Sequence, residues 1–259
     1  MTTTDTLPAV EVPSTPIAPA PFGLLSIAPS ATPLDPYWNA GVWWRAGGVP
    51  EVGATYGACT VDSEVPTLDT TIGCEISYGL AFTVYARSDL SIAGGTPESR
   101  FADARRVLLA GEQHAVEQVM WARFVAATPT ATGTATSALG GLAVAEALMG
   151  GVYTGAPVHH MDRRAATLLS NELSVSGGKL STILGSPVVA GGAYGLPADT
   201  ADDASFTMFA TGALSLYRSE VFDLGEAIDR DTNSVSAVVE RTYVIGWDTA
   251  LVEITVTPS

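Results

Sequence analysis

Between Gly94 and Thr128 the apolar side chains fall at helical spacing. Phe101, Ala104 and Leu108 repeat at i, i+3 and i+7, and Val116, Met120 and Phe124 at i, i+4 and i+8, with Val119 and Val125 beside them. Thr96 is a good N-cap and Pro97 suits the first helical position. The pattern predicts one helix of ~45 Å, at about 1.5 Å per residue, with Gly111 as a weak point or bend. A second helix is expected over "ALGGLAVAEALMGG", then a short strand ending near "APVHH". A third helix should run from about Met161 to Leu173, with Ala165, Leu168 and Leu169 on one face. Between the first two helices "ATPTATGTATS" reads as a loop, and "SGGKLSTILGSPVVAGGAYG" as a turn, an extended run and a glycine-rich exit. Strand patterns occupy "CTVDSEVP", "TTIGCEISYGLAFTVYA", "SFTMFATGALSLYRSEV" and "SVSAVVERTYVIGWDTALVEITVT". The order is that of an α+β chain closed by an antiparallel sheet.

The first 36 residues follow another rule. They hold eight of the sixteen prolines and no basic residue, so no helix or central strand can run through them. Yet Val10, Val12, Ile17, Phe22, Leu24, Leu25 and Ile27 are too many apolar residues for a solvated linker. An extended arm lying across a neighbouring surface accounts for both features. After it, "YWNAGVWWRAGGVPEVGATYG" crowds Trp38, Trp43 and Trp44 among glycines, as a loop or ribbon with large anchors.

Composition sharpens this picture. At 259 residues the chain makes one large domain or two small ones. Charged residues are only 15% against 47% hydrophobic, the balance of a surface that meets other subunits. A net charge of −15 argues against a firm grip on nucleic acid. Lys179 is the only lysine. Cys59 and Cys74 form no metal-ligand spacing and read as free thiols or one incidental pair. The opening "MTTTDTLPAV" lacks the charge and apolar run of a signal peptide, and "GLAVAEALMGG" is too short to span a bilayer, so no membrane role is expected.

Three stretches invite a chemical reading. "VHHMDRR" gathers His159, His160, Asp162 and two arginines. Adjacent strand residues face opposite ways, so the histidines cannot easily share a metal. The catalytic alternative, a base using His159, His160 and Asp162, lacks the partners that real sites bring. The better account is a strand-to-helix junction with Asp162 favouring the helix dipole. Asp229, Asp231, Asn233 and Glu240 match positions 1, 3, 5 and 12 of a calcium loop, but Ser234 stands where glycine is required. A polar turn entering a strand suits them better. Asp202 and Asp203 read as a solvated loop. "GGKLS" is no phosphate loop, and no nucleophile motif is present. No catalytic, cofactor-binding or metal site is expected, and the chain does not read as an enzyme.

The order of segments nevertheless resembles a family. "GLAFTVYARSDLSIAGGTPESRFADARRVLLAGEQHAVEQVMW" looks like the strand and spine helix of the Hong Kong 97-type fold, found in major capsid proteins of tailed bacteriophages and in encapsulins. "VYTGAPVHHMDRRAATLLSNEL" is similar to its strand, short polar stretch and helix, and "GGKLSTILGSPVVAGGAYG" to its return strand. "FTMFATGALSLYRSEVF" and "DRDTNSVSAVVERTYVIGWDTALVEITV" resemble its final peripheral strands.

The resemblance implies an N-terminal arm over 1–40 and an extended loop with flanking strands over 41–80. It implies a peripheral domain with the spine helix over 81–132, an axial domain over 133–200, and peripheral-domain strands over 201–259. It implies a structural subunit that self-assembles, through hexamers and pentamers of itself, into the icosahedral head of a tailed phage. That head is assembled in the host bacterial cytoplasm, ends in the virion, and encloses double-stranded DNA without specific binding. Scaffolding, portal and decoration proteins would be further partners, and no cofactor is implied. An encapsulin-type shell protein or a vertex-only minor capsid protein is the alternative of the same fold. The lysine–asparagine weld of some such phages is not carried over, because Lys179 lies outside the extended loop. Removal of residues 1–36 is expected to leave a folded domain that no longer forms shells.

Overall fold

The computed structural model describes residues 18–27, 30–31, 38, 41–45, 76–91, 96–195, 205–230 and 234–258. Cys59, Cys74, Asp202, Asp203, Asp231 and Asn233, and the expected strand in "CTVDSEVP", lie outside them.

The chain enters through a single turn, α1 (Leu24–Ile27), and two short strands, β1 (Ser30–Ala31) and β2 (Val42–Arg45). The long strand β3 (Ile76–Ser91) follows, then the helix α2 (Pro97–Ala126). Thr96 caps α2 as its sequence predicts, its hydroxyl accepting from the Ser99 N–H with Pro97 in the first turn. The helix runs unbroken through Gly111 for 30 residues. Ala104, Leu108, Val116, Met120 and Phe124 are buried along it, as the spacing required.

Next come β4 (Ala131–Ala135), α3 (Ala138–Val152), β5 (Val158–Asp162), α4 (Arg163–Leu168), β6 (Leu173–Ser176), β7 (Lys179–Thr182) and β8 (Pro187–Gly191). The chain ends in β9 (Phe206–Thr211), β10 (Leu214–Arg218), β11 (Phe222–Asp229), β12 (Ser234–Trp247) and β13 (Leu251–Val256). Two expectations need correction. The threonine-rich stretch after α2 is partly a strand, because β4 pairs in parallel with β13. The third helix is shorter than its apolar pattern suggested: Leu169 already ends it, and β6 starts at Leu173.

Two sheets organise the molecule. One has the order β1-β10-β12-β3-β2, with β11 on the free half of β12, and the other the order β4-β13-β9-β5-β8-β7-β6. The strands β9 and β13, from the last fifth of the chain, thus lie in the same sheet as β5 and β8. Its central strands are covered on both faces. Val189 and Phe209 turn to the core around α2, while Val188, Ala190, Met208 and Ala210 turn to the core under α3 and α4. Strands buried on both sides need no polar alternation, which is why "PVVAG" and "FTMFAT" read as continuous apolar runs.

Candidate functional site

Every residue of β5 is buried, and its two histidines leave by opposite faces. His159 points to α3, where its Nε2 lies 3.0 Å from Glu146 Oε1. That contact holds the Glu146 carboxyl below its usual range, against the opposing effect of burial. The Nδ1 of His159 has no hydrogen-bond partner among the described residues. His160 points to α2 and packs on Phe124 with ring centroids 4.6 Å apart. Its Nδ1 lies 3.3 Å from the Tyr194 hydroxyl and its Nε2 3.0 Å from the Thr211 hydroxyl. Complete burial pushes its pKa down to about 3, helped by the charge of His159, so the ring is neutral. Tyr194, buried beside it, is pushed well above the ordinary tyrosine value by the same desolvation.

Asp162 is the N-cap of α4, accepting from the Ala165 N–H at 2.6 Å, and burial raises its pKa. Arg163 donates to the Pro21 carbonyl, and Arg164 sits over the Phe206 ring. The structure therefore separates the residues that the sequence puts side by side. Both histidines are fully buried on opposite faces of a sheet, a placement for packing and not for meeting a substrate. At the acidic turn, Glu240 lies within β12 opposite Phe222, six residues along the strand from Ser234, which pairs with Asp229 at the end of the hairpin. Among the described residues no cluster of three or more histidines, cysteines or carboxylates could hold a metal ion. None of the described helices is long and apolar enough to cross a membrane.

The groups that do converge tie distant parts of the chain together. On α2, Glu117 is almost wholly buried. It accepts from the Leu24 N–H at 3.1 Å through one oxygen and from the Gly192 and Ala193 N–H groups at 2.7 and 3.1 Å through the other. Burial still raises its pKa against these three donors. Around it, Gln113 donates to the Ala20 carbonyl and the Ala190 N–H to the Phe22 carbonyl. Residues 20–24 are clamped on four sides, with Leu24 fully buried in the core. The sequence placed 1–36 across a neighbouring surface, whereas residues 20–24 pack on their own chain; a cut at residue 36 would remove a core leucine and one of the three donors to Glu117.

A second seam joins α2 to β12. Glu112 accepts from Arg241 at 2.8 Å and from the Tyr243 hydroxyl at 2.7 Å, and burial followed by this contact raises the Tyr243 pKa. Arg100–Glu226 and Arg105–Asp223 bind the same helix to β11. A third contact anchors β2: Trp44 lies against the backbone of Gly79 and Gly246, where any Cβ would strike it or its neighbours. Glu112 was legible in principle. Stepping by four from Ala104 through Leu108 reaches it before Val116, so a carboxylate stands in an apolar stripe. Glu117 is outside that step of four, but it stands three residues before Met120 and seven before Phe124, so the same signal marked it.

No family model matches the chain, and no curated protein matches it in sequence. Solved structures do match. The SrpI encapsulin complex from Synechococcus elongatus aligns with a TM-score of 0.58 at 12% identity, over 96% of this chain and 93% of that one. The capsid of an empty GTA particle aligns at 0.57 and 12%, over 96% and 94%. Mycobacterium phage Cain aligns at 0.55 and 12%, over 93% and 92%. Identity this low establishes the fold, which is the Hong Kong 97-type fold expected from the sequence.

Proposed function

We propose that this chain, a Hong Kong 97-type fold, is the structural subunit of an icosahedral shell. The observation that carries the reading is the fold itself, matched over more than nine tenths of each chain in an encapsulin complex and in capsids. The molecule's chemistry supports it. The polar clusters hold one part of the chain to another, and the conspicuous histidines are sealed in the core. Trp43, Tyr78, Tyr85 and Ile183 are large apolar side chains left in solvent, which contact with another copy would cover.

In this reading residues 1–40 are an arm, anchored to its own body at residues 20–24, and 41–80 an extended loop with flanking strands that reaches a neighbouring copy. Residues 81–132 and 201–259 make a peripheral domain around α2, and 133–200 an axial domain at the centre of hexamers and pentamers. The subunit works without a cofactor, in the head of a tailed phage, and its acidic surface holds DNA without gripping it. Scaffolding, portal and decoration proteins are the further partners it would meet in the host cell. An encapsulin-type compartment is the second reading, favoured by the encapsulin match.

Electron microscopy and sedimentation of the purified full-length chain test this. Closed shells are the expected result. A strictly monomeric chain at high concentration would overturn it, as would an enzymatic rate lost on alanine substitution of His159, His160, Asp162 and Asp229. Nucleic acid inside native particles favours the phage reading, and a protein cargo the encapsulin one.

A further inference from the structure

The hairpin β6–β7 carries opposite charges at its two ends. Its turn is made by Gly177 and Gly178, both at positive φ (58° and 75°), the backbone that a two-residue hairpin demands. Immediately after the turn stands Lys179, exposed and the chain's only lysine. At the other end, where Leu173 pairs with Thr182, a hollow of about 300 Å³ opens between α3 and the β7–β8 turn. Its walls are Leu139, Leu142, Ile183 and Leu184, and Glu146 and Glu172 lie at its lining as carboxylates. Ile183 and Leu184 are 78% and 73% exposed, at the tip of a hydrogen-bonded turn. Thr182 and Ser186 exchange backbone and hydroxyl hydrogen bonds across their turn.

Apolar walls with a carboxylate beside them suit a long cationic side chain. A lysine buries its methylene stem along apolar surface and keeps its ammonium at a polar rim. Among the described residues neither Lys179 nor Glu172 takes part in an ion pair. Five arginines, by contrast, are held in ion pairs within the chain, and Arg123 and Arg163 are spent on backbone carbonyls. The turn and the hollow sit at opposite ends of four-residue strands, roughly 10–13 Å apart at about 3.4 Å per residue. The rigid ladder between them keeps the two ends apart in one copy.

Resting on the shell reading above, we propose that Lys179 of one copy seats in this hollow on a second copy, its ammonium against Glu172. A knob and a socket at opposite ends of one hairpin make a head-to-tail contact. Contacts of that kind close into rings when their rotation permits.

The test is charge reversal in the full-length chain, with Lys179→Glu and Glu172→Lys made singly and together and shells followed by sedimentation. Both positions are on the surface, so each variant should keep the wild-type circular dichroism and melting temperature. Each single reversal sets like charges face to face and should raise the concentration at which shells form by more than about tenfold. The double reversal should return it to within about twofold of wild type. Single variants that assemble like wild type overturn the proposal, as does a double variant no better than the worse single one. A wild-type chain that never assembles overturns the shell reading itself, and is seen before any variant is compared.

Discussion

At the scale of single residues the buried polar groups set stability, and His160 gives the cleanest case. Its folded pKa of about 3 lies below the ordinary 6.5 because the ring is wholly enclosed. Below pH 6.5 the unfolded chain therefore takes up a proton that the folded chain refuses. Stability should fall with a slope that approaches about 1.4 kcal/mol per pH unit, about 1.6 kcal/mol in all between pH 6.5 and 5. Denaturant melts across that range should show a slope of about one proton, absent in His160→Gln. Glu117 acts in the opposite sense. Its pKa is raised, so the folded state binds its proton the more readily and gains stability as pH falls through that value. Comparing each variant with wild type at the same pH separates the two. The Glu112 seam offers a different prediction. Glu112→Leu leaves Arg241 buried without its carboxylate and should cost about 3–5 kcal/mol. The triple change Glu112→Leu, Arg241→Met and Tyr243→Phe removes every member together and should recover most of that loss in chemical denaturation.

At the scale of elements, the clamp on residues 20–24 ties the chain's first described segment to α2 and β8. Gly23 faces Gln113 and Glu117 so closely that any Cβ would collide with both. Gly23→Ala should therefore free the segment around Leu24 while α2 stays folded, and limited proteolysis near Phe22–Leu25 should become at least about tenfold faster. Unchanged cleavage would show that the clamp does not hold the segment. For 1–36 the prolines and apolar residues pointed to a segment needing a surface, expected on a neighbour; for residues 20–24 that surface lies on the same chain, 93 residues away at Glu117. The same contrast runs through the fold. Helix α2 and its cap were readable because spacing, Thr96 and Pro97 agree locally. Strand β4 was not, because "ATGTA" is a strand only through its pairing with β13, over a hundred residues on. For the candidate site, the period-two rule separated His159 from His160 correctly. Their true partners, Glu146, Tyr194 and Thr211, depend on packing that no short window contains.

At the scale of the whole molecule, charge and assembly pull against each other if the chain builds the proposed shell. Each copy carries −15, and apolar contacts between copies must overcome that repulsion. The Debye length shrinks from about 30 Å at 0.01 M salt to about 8 Å at 0.15 M, so repulsion spread over whole subunits is screened while close contacts persist. Hydrophobic contact is not weakened by that change. Shells should therefore form at lower protein concentration as salt rises through this range, and light scattering at fixed protein concentration should show it. The Lys179–Glu172 contact would lose some strength at the same time, but one short pair against apolar walls is outweighed by fifteen net charges on every copy. If shells instead dissolve as salt is raised, opposite charges and not apolar surfaces hold the copies together. The exposed leucines, isoleucine and aromatics would then need a different partner.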